Sequence, residues 1–333
     1  MGKYKGFVNL SVSAIDEPDP VSRSPQLVGI SAQKEDYNTL KPAMDEINAE
    51  IDSIQKEGIE VDGQLIRFSF YLCADYKFLL LVCGFKEANS KFACIFCESA
   101  NSAYHKKGQK RREKICKGCI GVFRDNLLPA IPADRVVVDV LHLFLRTSDK
   151  LFMLICREVP GENLRDFVDK LRENISCRGK IVFSDGKVDF RNLDSNDRRK
   201  ILEFFATSTC LADILGKTRG AQIRILMVKY LKVLEMLRSS DDAAVVETEC
   251  ATFASMFLTL YQSSMVTPYL HIVQNHCHEI VQRVGCLNAF TQQQVEKLNH
   301  MATAAYFSAT NFKDGMRQVL QQHGRRLILS KLQ

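Results

Sequence analysis

The residues with the clearest chemical potential are two thiols, two imidazoles and two carboxylates. Cys94 and Cys97 stand in Lys91-Phe-Ala-Cys-Ile-Phe-Cys97, downstream of an apolar stretch that ends at Asp75; His271, His276 and Glu296 follow much later. A two-residue spacer lets both sulfurs of a C-x-x-C converge on one tetrahedral ion, and two thiolates with two imidazoles complete a zinc set. Carboxylates such as Asp75 and Glu296 are the groups with which metal-dependent phosphodiester chemistry holds divalent ions.

The spacing leaves a second assembly open. Cys116-Lys-Gly-Cys119 begins nineteen residues after Cys97, giving C-x2-C-x18-C-x2-C, a four-cysteine zinc spacing that by itself competes well for Cys94 and Cys97. His271 and His276 follow Thr267-Pro268, a helix start with Pro in the first turn. Five residues turn a regular helix by about 500°, so the two rings would diverge by about 140°. A shared metal therefore requires an irregular helix or ligands that enter from different depths, which counts against the pair on spacing alone, and Cys277 and His278 are neighbouring alternatives. Asp75 also reads as a helix N-cap, and Glu296, in a polar helix opening, as an ordinary exposed glutamate. Residues 105–117 carry Lys106, Lys107, Lys110, Arg111, Arg112, Lys114 and Lys117 against the single acid Glu113. Such a run can neutralise phosphates or simply form a solvated loop.

The elements that position these groups follow from hydrophobic periodicity. Phe7–Ile15 alternates with period two and reads as a half-buried strand. A Pro/Ser turn over 17–25 and a short strand at 26–31 follow. Leu40, Met44, Ile47, Ile51 and Ile54 fall on one face of a helix over 37–56, ended by Gly58. Leu65–Cys73 reads as the strongest strand, and 76–83 as a helix. After Pro132 the chain reads as predominantly helical, with helices over 136–155, 164–171, 221–237, 245–261 and 291–310. The exception is a hairpin over 180–190 around Asp185-Gly186.

At 333 residues, with 46% hydrophobic and 25% charged residues, the chain is long enough for a substantial core. Its net charge of +6 permits a polyanionic partner without requiring one. No apolar run approaches the roughly 18 residues that span a bilayer. The opening Met1-Gly-Lys-Tyr-Lys-Gly6 lacks a signal-peptide core, and Gly6 stands where a myristoylation motif wants Ser or Thr. The expectation is no targeting signal and no membrane partner. Twelve cysteines without such a signal read as reduced intracellular thiols, with Cys73, Cys83, Cys156, Cys210 and Cys250 as small hydrophobes.

Taken in order, these residues resemble the catalytic core shared by V(D)J recombinase catalytic subunits and Transib-type DDE transposases, along most of the chain from about Phe7 to Thr310. That family has a catalytic Asp after a strand, with a C-x-x-C nineteen residues on; Asp75 and Cys94 stand nineteen apart. It has His-x4-His behind a Thr-x-Tyr stretch, matched by Thr267-Pro-Tyr-Leu-His271-Ile-Val-Gln-Asn-His276, and a catalytic Glu twenty residues later, matched by Glu296 with Lys297 and Asn299 nearby. Asp139-Val-Leu-His142 resembles the entry to the family's inserted helical domain. The resemblance implies an α/β chain with a partial RNase H-like fold. It would comprise a β-rich part over 1–98, a long, mostly α-helical zinc-bearing insertion over 99–286, and C-terminal helices over 287–333 that return the Glu to the core.

The same resemblance implies a structural zinc at Cys94, Cys97, His271 and His276, with Cys116 and Cys119 as accessory thiols. It implies Mg or Mn at Asp75 and Glu296 if the chain is active. DNA is the implied partner, a homodimer the implied assembly and the nucleus the implied location. The family uses three carboxylates, the first on a strand ahead of 7–15. The chain starts at Met1 without that strand, and Asp16 and Asp19 in the Pro-rich turn are poor substitutes. The expectation is a transposon-derived recombinase-like protein that is catalytically incomplete. The alternative is a zinc-stabilised nuclear DNA-binding or scaffold protein without catalysis.

Overall fold

A computed structural model describes residues 8–15, 24–31, 35–177, 179–311 and 313–330. Phe7, Asp16, Asp19 and most of the Pro/Ser turn lie outside them. The chain begins with β1 (Val8–Val12), β2 (Gln26–Ser31) and α1 (Tyr37–Glu57). Then come β3 (Ile59–Val61), β4 (Gln64–Ile66), β5 (Leu72–Ala74) and α2 (Tyr76–Val82). After a long irregular stretch, β6 (Val136–Val138) leads into α3 (Val140–Glu158) and α4 (Leu164–Asn174). A hairpin of β7 (Val182–Ser184) and β8 (Lys187–Asp189) precedes α5 (Ser195–Thr207), α6 (Cys210–Leu215), α7 (Lys217–Ser239) and α8 (Ala243–Leu260). The series closes with α9 (Pro268–Asn275), α10 (Cys277–Val284), α11 (Gln293–Ala309) and α12 (Gly315–Ser330). The protein is mixed α/β and mostly helical, and among the described residues no sheet is wider than two strands.

Two expected elements differ. The strand anticipated over 65–73 is split, with residues 67–71 in no strand. Asp62 (φ 50°) and Gly63 (φ 77°) form a tight turn that folds β4 back on β3, Ile59 facing Ile66, so local hairpin pairing captures Leu65 and Ile66. The helix anticipated from Val136 starts at Val140 instead. Val136–Val138 are three buried β-branched residues and form a strand. Asp139 then caps α3, accepting from the Leu141 and His142 amides at 3.0 and 2.9 Å.

The chain forms two compact units. The first comprises residues 1–85, 114–136 and 289–333. In it β1 pairs antiparallel with β2, Val8 facing Ser31, with a bulge between Leu10 and Ser11. The buried face of α1 (Tyr37, Leu40, Met44) packs with Val8, Val82, Leu127, Leu128 and Ile131. Each fully buried side chain of this kind contributes about 1.5–3 kcal/mol. A second cluster joins β2 through Leu27 to α11 and α12 through Leu298, Ala302 and Val319. Gly58, at φ 77°, ends α1, and a Cβ there would meet the Ile66 carbonyl at 2.7 Å.

The second unit comprises residues 86–113 and 137–288. Its α7 packs against α5, α6 and α8. Tyr230 on α7 is fully buried, stacks on Phe253 of α8 with centroids 5.1 Å apart, and donates to the Phe144 carbonyl at 3.2 Å. Contrary to the expectation from apolar runs, α8 is long and apolar enough to cross a bilayer, with 18 residues of mean hydropathy 1.3. It nevertheless buries Val246, Cys250, Phe253 and Phe257, packs on α7, α9 and α10, and pairs Glu249 with Lys229 at 3.3 Å.

Candidate metal centre

Cys94, Cys97, His271 and His276 converge inside the second unit, their ligating atoms all within 4.8 Å of one another and their side chains buried. The Cys94 sulfur lies 3.5 Å from His276 Nε2, the Cys97 sulfur 3.2 Å from His271 Nε2, and the two Nε2 atoms are 3.2 Å apart. Zn–S bonds near 2.3 Å and Zn–N bonds near 2.0–2.1 Å in a tetrahedron give ligand separations of about 3.3–3.8 Å. The separations here, from 3.2 Å to at most 4.8 Å, bracket that range, and the donor set suits zinc in softness.

The helix carrying the histidines is broken where the spacing demands it. α9 ends at Asn275, His276 leaves helical geometry at φ −127°, ψ −24°, and α10 starts at Cys277. That break turns both Nε2 atoms to one point despite the five-residue step. Thr267 caps α9, accepting from the Leu270 amide at 3.3 Å, with Pro268 in the first turn.

The outer ring nitrogens are also held. His271 Nδ1 lies 2.9 Å from the Tyr104 carbonyl, and the Tyr104 ring stacks on the imidazole at 4.3 Å. His276 Nδ1 lies 3.2 Å from Glu279 Oε2. Such partners fix the tautomer that leaves Nε2 for metal and raise ligand basicity. Burial pushes the Glu279 carboxyl up, but the His276 hydrogen bond and the His276, Arg111 and His278 charges hold it below the usual range.

The thiols divide their protonation unevenly. The hydrogen bond from Cys94, with those of His271 and His276, pulls Cys97 down to about 2 against its burial, whereas burial pushes Cys94 well up.

Arg112, expected on the basic segment, is buried instead. Its Nη2 donates to the carbonyls of Cys94 at 3.1 Å and Cys97 at 2.9 Å. Cys97 and Arg111 face each other in an antiparallel bridge, flanked by Arg112 N to Phe96 O at 2.9 Å and Glu98 N to Lys110 O at 3.1 Å. Lys106, Lys107, Lys110, Arg111 and Lys114 are exposed.

The remaining site residues lie in the first unit. Asp75 caps α2, accepting from the Phe78 amide at 2.9 Å. Glu296 is exposed in the first turn of α11. Phe290 and Gln292, just ahead of α11, hold β5: Cys73 Sγ donates to Phe290 O at 3.2 Å, and Gln292 Nε2 donates to Cys73 O at 3.1 Å. The start of the Glu296 helix therefore packs on the strand that delivers Asp75. Among the described residues neither carboxylate belongs to a metal-binding group of three or more, and neither do Cys116 and Cys119, whose sulfurs are 3.1 Å apart. Sequence reasoning missed Tyr104, Arg112 and Glu279 as supports of the centre. Only Glu279, one helical turn after His276, carried a readable signal.

No protein-family model matches the chain. It is similar to V(D)J recombination-activating protein 1 of Oryctolagus cuniculus, 20% identical over 342 aligned positions that cover 89% of this chain and 32% of that protein. The chain thus spans about a third of the length of the relative it matches. At this identity the likeness supports a distant relationship to a recombination protein.

Proposed function

We propose that this chain is a transposon-derived, DNA-binding relative of DDE-type recombinases, built on a partial RNase H-like part and a helical insertion knit by zinc. The observation that carries the reading is the buried four-ligand centre, which closes Cys94-x-x-Cys97 with His-x4-His in the order the resemblance implies. Zinc would be held by Cys94, Cys97, His271 and His276, and its contribution there is structural, since four protein ligands leave no open position.

In this reading Asp75 and Glu296 are two carboxylates of a site for Mg or Mn, the first at the end of β5 and the second on the helix that packs there. Strand cleavage by such a site requires a further carboxylate beside this pair. The protein would act on DNA in the nucleus, as a homodimer.

The second reading is a zinc-stabilised DNA-binding or scaffold protein without catalysis. It is favoured by one observation: Asp75 and Glu296 complete no group of three metal ligands among the described residues. Duplex binding and nicking, measured with Mn and with wild type beside Asp75→Asn and Glu296→Gln, separate the two readings. Nicking lost in both variants supports the recombinase core. Binding without nicking in any of the three excludes an active core and leaves a catalytically incomplete one or the second reading, and no binding sinks both.

A further inference from the structure

The basic segment is attached to the metal centre at both ends. At its start, the Tyr104 carbonyl meets His271 Nδ1 at 2.9 Å, and the His105 carbonyl accepts from Gln274 Nε2 at 3.0 Å. At its end, Lys110 and Arg112 pair with Glu98 and Phe96 across the cysteine knuckle, and the buried Arg112 guanidinium holds both cysteine carbonyls. Between these clamps the chain turns at Gly108 (φ 66°), where an added Cβ would meet nothing within 4 Å. The exposed side chains of this loop include Lys106, Lys107, Lys110 and Arg111.

Charge along the loop has one sign. The acids at its foot are Glu98, 3.3 Å from Lys110, and Glu279, which feels the charge of Arg111; residues 105–112 contain no acid. A groove of about 340 Å³ runs beside it, lined by His105, Lys107, Ser255, Leu258, Thr259 and Gln274. Hydroxyls, an amide and an ammonium group around an open groove suit phosphate oxygens. The four ligands and the loop supports alternate along the same short stretches of chain: Tyr104 and Gln274 support the loop beside His271, and Arg112 supports it beside Cys94 and Cys97.

We infer that Lys106–Arg111 is a phosphate-contacting loop for a nucleic-acid backbone whose shape is set by the metal centre, so that zinc occupancy controls polyanion affinity. The inference rests on the DNA-binding reading above. It also separates two roles within the basic run: Arg112 is a positioning residue that fastens the loop to the knuckle, whereas Lys106, Lys107, Lys110 and Arg111 make the contacts. Zinc itself touches no phosphate in this arrangement; it fixes the two ends of the loop.

The test is the salt dependence of binding to a short mixed-sequence DNA duplex by the zinc-loaded full chain. Each lost phosphate contact flattens the slope of log K against log salt by about 0.9. The variant with Lys106, Lys107, Lys110 and Arg111 all changed to Gln should flatten it by about 3 to 4. Arg112→Met that still holds zinc should flatten it by at least about 1. Zinc-loaded wild type should also show slowed amide exchange over residues 105–112 when duplex is added, a readout that needs no variant to fold. Unchanged slope in the four-site variant, or unchanged exchange in wild type, overturns the loop assignment while leaving DNA binding intact. A chelated protein that keeps its fold and its full slope overturns the control by zinc. Absence of any duplex binding by wild type overturns the DNA-binding reading and this inference with it.

Discussion

His276 Nδ1 and Glu279 Oε2 stand 3.2 Å apart one helical turn from each other, with the imidazole's other nitrogen turned into the metal centre. The carboxylate accepts the Nδ1 proton and so presents Nε2 as the ligand. Glu279→Gln should weaken zinc binding by about 10- to 100-fold, the usual cost of losing such a partner. Competition against a chromophoric chelator measures it, and an unchanged affinity would remove Glu279 from the site.

Zinc stoichiometry distinguishes the two cysteine assemblies. Wild type should hold one zinc, and Cys97→Ser or His271→Ala should lose it. Cys116→Ser with Cys119→Ser should keep it, because their sulfurs pair with each other rather than with the buried four. Alkylation of zinc-loaded protein should label the exposed Cys116 well before Cys94 or Cys97. A zinc that leaves with Cys116 and Cys119 would reverse the assignment.

Acid should weaken zinc binding. The hydrogen bonds from Cys94, His271 and His276 hold Cys97 well below the usual thiol range, so protons compete little for it. Cys94 is pushed up by burial and must lose its proton to bind. Burial pulls His276 down, but its hydrogen bonds to Cys97 and Glu279 raise it overall, so protonation there also competes. Affinity therefore rises with pH through the neutral range, with about one to two protons released per zinc. Calorimetry in buffers of different ionisation enthalpy counts them, and zero release would contradict this protonation pattern.

Asp75 and Glu296 should differ in stability even before any chemistry is assayed. Asp75→Ala removes the cap of α2 and should cost about 0.5–2 kcal/mol. Glu296→Gln, on an exposed helix surface, should stay within about 0.5 kcal/mol of wild type. Urea midpoints give both values. Equal costs would mean that Glu296 has a structural role like that of Asp75.

The sequence made the ligands readable but not their surroundings. The C-x-x-C announces metal by type and spacing, whereas the five-residue step between the histidines counted against them until the helix break at His276 brought both rings to one point. Local signals also placed α1 and the 182–189 hairpin, where Gly58 and Asp185-Gly186 adopt positive φ. What stayed hidden depended on contacts far apart in sequence. Arg112 reads as one cation among seven, and only the fold shows it buried against the knuckle carbonyls. The split of the 65–73 strand was equally hidden, because the same apolar residues suit a long strand or a short hairpin.

Cys97 and His271 meet across 174 positions of chain, and this separation bears on how the protein is made. At about 5–20 residues per second, the ribosome releases the cysteine knuckle on the order of ten to thirty seconds before the first histidine. During that interval a nascent chain offers only half a zinc site. Its thiols are then open to oxidation and to capture by softer metals, until synthesis of the α9–α10 segment closes the centre.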